Sequence, residues 1–256
     1  MSKRRLDASE TVADYDVRSP AIRTLLTVLG TLVAVALLAI LVLALSIIRR
    51  DARIATSQVD VGTNANLIIN ATSADIEVVE GEPDLLTVTS TVTSGLRETD
   101  YQLGRKGDEI KIVSNCQKWL NPGCGVKARL EVPPGLPLRI RTTSGDIRVR
   151  GISEGVLTVR STTGQITASG LEVDEFQATT TDGDIAATFA AQPFAVKATT
   201  TSGDVRATLA KGDRTYGITT ETKSGNVSSQ LDSDDDGEGF IRIETTSGDI
   251  RLTVAS

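Results

Sequence analysis

The chain has 256 residues, 33 acidic side chains against 27 Lys plus Arg, a formal charge of −6, no histidine and only 3% aromatic residues. The missing imidazole removes Ser-His-Asp and Cys-His catalysis and His-ligated zinc. Two cysteines are too few for a structural zinc site, and the net negative charge argues against nucleic acid as a partner.

Residues 1–23 read as a short cytoplasmic tail carrying Lys3, Arg4, Arg5, Arg18 and Arg23. From Thr24 to Ile48 no residue is charged, and at about 1.5 Å of rise per residue this stretch exceeds a hydrocarbon core of about 30 Å. It is longer than the apolar region of about 7–15 residues in a cleaved signal peptide, and it lacks the polar face of a long soluble helix. The pattern predicts a transmembrane helix over 24–48 that acts as an uncleaved signal anchor in the cell membrane. Only Arg49, Arg50 and Arg53 follow it, so the positive charge favours a cytoplasmic N-terminus. Residues 49–59 then read as a linker and 60–256 as an extracytoplasmic domain.

That domain is nearly helix-free by pattern. A degenerate motif, Thr72-Ser73-Ala74-Asp75-Ile76, comes first, with apolar residues alternating on either side at Leu67, Ile69, Ala71, Ile76 and Val78. Between residues 84 and 137 alternation predicts strands over Leu85–Val92, Ile110–Val113 and Val126–Val132. Cys116 and Cys124 bracket a turn containing Pro122-Gly123, so their sulfurs can meet in a disulfide. Such a bridge persists outside the cytoplasm, in keeping with an N-in, C-out topology. The same loop holds the only tryptophan, Trp119. It is a candidate binding anchor, and the plainer reading packs it over adjacent strand ends.

Six regular copies follow, with glycines at Gly145, Gly164, Gly183, Gly203, Gly225 and Gly248 and, directly after them, Asp146, Gln165, Asp184, Asp204, Asn226 and Asp249. Apolar or small residues stand seven, five and three places before each glycine and two and four places after it. This is period-2 alternation on both sides of a turn, so each copy is two short strands with one face inward. Gly tolerates the positive φ of a sharp corner, and short polar neighbours bond exposed corner amides. A unit of about 20 residues cannot bury its face alone, so the units stack. The expected fold is all-β, a β-solenoid, with a hairpin meander rolled into a sandwich as the alternative. Stacked in sequence order, the coils would leave Asp184 and Asp204 as the only adjacent charged pair. They read as a cation-facing ladder or, more simply, as corner caps, which makes the repeat turns structural. The acidic insertion Asp232–Glu238 lacks EF-hand spacing and reads as a solvated loop. A strand that ends almost at Ser256 with no evident cap predicts an open edge there, suited to self-association.

The TTSGDI-type copies, preceded by the VPPGLPLRI segment at 132–140, closely resemble the bacterial putative-adhesin family, a domain of unknown function built from β-strand repeats. The resemblance covers residues 60–256 and implies a right-handed β-solenoid displayed at the cell envelope. It supplies no catalytic residues, and Gln165 and Asn226 depart from its usual Asp.

The leading expectation is therefore a non-enzymatic single-pass membrane protein that binds or scaffolds an unidentified envelope ligand or protein, with no cofactor and no metal. A second reading couples the ectodomain to a cytoplasmic partner through the N-terminal tail and its Tyr15. A third makes Asp184 and Asp204 the carboxylates of a polysaccharide-active enzyme, against which stands the lack of sugar-stacking aromatics.

Overall fold

The computed structural model describes residues 20–48, 51–61, 66–94, 98–115 and 124–255. The chain divides into two compact units, residues 1–45 and 46–256. The first holds all but the last three residues of α1 (Pro20–Ile48), which starts on a proline, well suited to a first helical turn. Its segment Thr24–Leu45 is long and apolar enough to cross a membrane. Thr27 and Thr31 donate their hydroxyls to the carbonyls of Thr24 and Val28, each at 2.8 Å, so neither hydroxyl is left unsatisfied in an apolar setting.

The second unit opens with β1 (Asp51–Asp60), β2 (Leu67–Ser73), β3 (Asp75–Glu80), β4 (Leu85–Ser94), β5 (Asp100–Lys106), β6 (Glu109–Asn115) and β7 (Gly125–Val132). The regular repeats follow as strand pairs: β8 (Leu138–Ser144) with β9 (Ile147–Arg150), β10 (Val156–Arg160) with β11 (Ile166–Leu171), and β12 (Glu175–Thr179) with β13 (Ile185–Phe189). Then come β14 (Ala195–Ser202) with β15 (Val205–Leu209), β16 (Tyr216–Ser224) with β17 (Val227–Ser229), and β18 (Gly239–Ser247) with β19 (Ile250–Val254).

Each repeat gives its first strand to one sheet and its second to another, in parallel register. Leu138, Leu157, Phe176, Val196 and Ile241 line up in the nine-stranded sheet, and Ile147, Ile166, Ile185, Val205 and Ile250 in the ten-stranded one. These columns face each other and are almost wholly buried, which is how a chain poor in aromatics still makes one continuous core. Phe176 and Phe189 meet edge to face inside it, with centroids 5.6 Å apart. Parallel pairing throughout the repeats excludes the hairpin meander.

The degenerate motif is a full coil. Its β2 and β3 stack directly on β8 and β9, although about 70 residues separate them in sequence. Beyond it the pattern changes: β4 pairs antiparallel with β7, and β5 antiparallel with β6. Of the residues 49–59 expected as linker, 51–59 belong instead to the edge strand β1, antiparallel to β4 over its whole length. The run Asp51 to Asp60 alternates too weakly for periodicity to mark it, and long-range pairing to the Thr- and Val-rich β4 makes it a strand.

The coils do not stack in sequence order. In the ten-stranded sheet β19 lies between β15 and β17, and in the nine-stranded sheet β18 lies between β14 and β16. Burial supplies the reason. The last repeat presents Ile241, Ile243, Ile250 and Leu252, all 1% exposed or less, whereas the fifth offers Thr220, Thr222 and Ser229, with Val227 45% exposed. The more apolar coil takes the inner place, and the more polar one forms the end. The open edge therefore belongs to β16 and β17, not to the strand nearest Ser256.

Candidate functional site: corner ladders and a basic face

The predicted turn residues all lie on one corner of the coil. Gly145, Gly164, Gly183, Gly203, Gly225 and Gly248 have φ between +116° and +156°. At Gly183 a Cβ would also sit 2.2 Å from the Gly164 carbonyl oxygen of the coil below. No side chain fits there, so glycine is required by space as well as by φ.

The residue after each glycine fastens one coil to the next. Asp75 Oδ1 accepts the Asp146 amide at 3.1 Å and Asp146 Oδ1 the Gln165 amide at 3.1 Å. Asp184 accepts the Asp204 amide at 2.8 Å, Asp204 that of Asp249 at 2.9 Å, and Asp249 that of Asn226 at 2.8 Å. Among the described residues the series is interrupted once, where the Gln165 side chain accepts no such bond from the Asp184 amide. Because the last two coils exchange places, Asp184, Asp204 and Asp249 form a run of three carboxylates, and Asp184–Asp204 is not the sole adjacent pair. Their repulsion is relieved by the amides and by guanidiniums: Arg148 pairs with Asp146 at 3.0 Å, and Arg206 with Asp204 at 2.6 Å and Asp184 at 3.9 Å. At these corners the carboxylates accept backbone amides and pair with arginines; among the described residues no group of three His, Cys, Asp or Glu is arranged to hold a metal ion.

A second ladder, which sequence reasoning missed, runs just inside the first. At four of the six corners the inward threonine three places before the glycine donates its hydroxyl to the corner carbonyl of the neighbouring coil, whereas Thr142 bonds Ser144 O of its own coil. Thr180 bonds Gly164 O at 3.3 Å, Thr200 bonds Gly183 O at 3.0 Å, Thr245 bonds Gly203 O at 3.1 Å, and Thr222 bonds Gly248 O at 3.0 Å. Ser161 occupies the same place with a buried Oγ and no partner. The signal was present as Thr or Ser recurring at an inward position, where a small apolar residue would otherwise be expected.

Both outer faces carry ion pairs, Arg242 reaching Glu244 at 2.5 Å on the nine-stranded sheet. On the ten-stranded sheet, Arg129 and Arg150 reach Glu77 at 3.4 and 2.5 Å, beside the Arg148 and Arg206 pairs. On the nine-stranded sheet, Arg139, Arg141, Arg160, Lys111 and Lys197 are exposed, and among the described residues none has an ion-pair partner. Register places Arg141 opposite Arg160 on adjacent coils, with Asn70 between Arg141 and Lys111. Beside them an open groove of about 300 Å³ is lined by Ile68, Pro137, Arg139, Val156 and Thr158. Sequence reading counted only the inward positions of each copy. The outward ones six and four places before Gly145, and four before Gly164, are all arginine.

At the far end, Tyr216 is buried and donates its hydroxyl to Pro193 O at 2.9 Å. Burial pushes this phenol above the usual tyrosine range, against the opposing pull of the Arg214 guanidinium. Arg214 itself stacks 3.7 Å above the Phe194 ring. The acidic loop runs along the first half of β16: the Asp234 amide donates to Tyr216 O, and Ser233 Oγ accepts the Ile218 amide, each at 2.9 Å. Cys124, at the start of β7, is buried and carries no free thiol. Cys116, Trp119 and the tail with Tyr15 lie outside the described residues.

Stacked parallel coils with glycine corners define a solenoid-like β domain. Residues 135–253 match the family model described as Toastrack DUF4097. Three solved structures illustrate the likeness. A putative cell adhesion protein from Clostridium sporogenes is 11% identical with a TM-score of 0.47, over 80% of this chain and 100% of that one. A putative adhesin from Bacteroides fragilis is 13% identical with a TM-score of 0.45, over 79% and 97%. A protein described as a putative lipid binding protein from Parabacteroides distasonis is 11% identical with a TM-score of 0.32, over 80% and 97%. No curated protein matches the chain.

Proposed function

We propose that this chain is a non-enzymatic, single-pass envelope protein, anchored by α1 with its N-terminus in the cytoplasm, whose solenoid binds an anionic polymer on the outer face of the nine-stranded sheet. The carrying observation is the cluster of unpaired Arg139, Arg141, Arg160 and Lys111 in a chain of net charge −6. Adjacent coils space such cations at about 4.8 Å, and arginine forks suit carboxylates and phosphates. The groove at Ile68 and Val156 adds apolar contact beside them. In this reading Asp184 and Asp204 fasten coils instead of doing chemistry, since amides and Arg206 occupy their oxygens. A Cys116–Cys124 bridge belongs to the same extracytoplasmic placement, and non-reducing peptide mapping tests it.

The test uses the full chain in neutral-lipid nanodiscs with immobilised polygalacturonate and poly(glycerol phosphate). Binding to at least one is expected, weakening as salt is raised. The triple variant R139E/R141E/R160E should lose about tenfold or more in affinity, each charge-assisted contact contributing about 1.5–3 kcal/mol at most. R251E, on the opposite sheet, should leave it unchanged. Absence of binding to both polymers, or equal binding by the triple variant, overturns the proposal.

A further inference from the structure

The free edge of the solenoid is short, and the chain itself sets its length. β16 is the last strand of the nine-stranded sheet. The acidic loop occupies the outward carbonyl of Tyr216 and the outward amide and carbonyl of Ile218, so by strand alternation the next outward groups, those of Thr220 and Thr222, lie beyond its cover. Behind this half-strand the end coil leaves its inner face open, with Val227 45% exposed and Ile218 and Leu231 only partly buried. An uncovered strand edge over exposed core residues is a template for another strand.

We infer that this edge pairs with the same edge of a second copy, antiparallel and about a two-fold axis at Thr222. Three observations select that register. Centring on Thr222 uses the part of β16 that the loop leaves free. It brings Thr222 opposite the partner's Thr222 and Thr220 opposite the partner's Ser224, so that inward faces meet inward faces and the open end of one core covers the other. It also brings Glu221 opposite the partner's Lys223, and Lys223 opposite the partner's Glu221. Both residues are exposed, and among the described residues neither has an ion-pair partner. Opposite charges in directly facing positions favour the pairing, and like charges there oppose it. The contact is isologous and closes as a dimer, because each copy's β16 edge is used up by the other's.

Charge exchange tests this in the full chain solubilised in neutral detergent, with association followed by sedimentation equilibrium. The unaltered chain should dimerise in the micromolar to sub-millimolar range. E221K and K223E should each weaken dimerisation about tenfold, because each creates like-charge pairs across the axis. The double variant E221K/K223E should recover it. A one-to-one mixture of the two single variants should also recover it as a heterodimer, an outcome only a two-fold contact gives. Circular dichroism of the variants checks that these exposed substitutions leave the fold intact. A chain that stays monomeric, association indifferent to the single variants, or a mixture no better than either variant alone would overturn the inference. So would open-ended growth, which marks head-to-tail pairing with β1 or β5. The polymer-binding variants lie elsewhere on the sheet, so the two proposals fail separately.

Discussion

Ser161 and Thr180 occupy equivalent places on neighbouring coils, yet only Thr180 has found a partner for its hydroxyl. A buried hydroxyl without a hydrogen bond costs stability, whereas one bonded to a carbonyl contributes about 1 kcal/mol. Ser161→Ala should therefore be neutral or slightly stabilising in urea denaturation. Thr180→Val, close in shape, should lose about 1 kcal/mol because it abandons Gly164 O. Tyr216 offers a pH-dependent counterpart. Its folded pKa lies above the unfolded value near 10. Stability from this group is complete below that value and is lost as pH rises through it, at a slope of up to about 1.4 kcal/mol per pH unit. Thermal melts above pH 10 should fall less steeply in Tyr216→Phe than in the unaltered chain.

At the scale of the coil, most of the design was legible. The alternation around each glycine assigns every inward residue of the six copies, because a period of two admits no other face once the corner is fixed. The degenerate copy is legible for the same reason. What escaped was the order of stacking, since identical corners dock equally well on any neighbour and the choice rests on small differences in apolar content. Ile250 and Val227 measure that choice. If the last repeat were the end coil, Ile250→Ala would be mild. With the observed order it should cost about 2–5 kcal/mol as a buried cavity, while Val227→Ala should cost less than about 0.5 kcal/mol. Chemical denaturation of the two variants distinguishes the arrangements.

For the whole molecule, the antiparallel cap formed by β1, β4 and β7 and by β5 and β6 was the least readable part. Its strands carry no corner motif: alternation marked β4, β6 and β7 but not their pairing, and β1 and β5 passed without a signal. The basic face was hidden differently. Each arginine alone is an ordinary outward residue, and the cluster exists only once Arg139, Arg141 and Arg160 are brought together by a register that counting from glycine defines but does not evaluate for charge. The apolar helix was plain from hydropathy alone, because 25 uncharged residues in a row need no partner to be recognised.

The exchange of the last two coils also dictates a timetable. A solenoid stacked in sequence order can dock each coil as it leaves the ribosome, one neighbour at a time. Here Val205 must wait for Ile250, 45 positions downstream, before its sheet can continue, and Val227 has no resting place until Ile250 has arrived. Residues 216–229 therefore emerge before the surface they pack on exists. In pulse-labelled hydrogen exchange during refolding, β17 amides should gain protection no earlier than those of β19, although β17 is made first. The final repeat acts as the bolt that closes the stack, and the penultimate one is the last to come to rest.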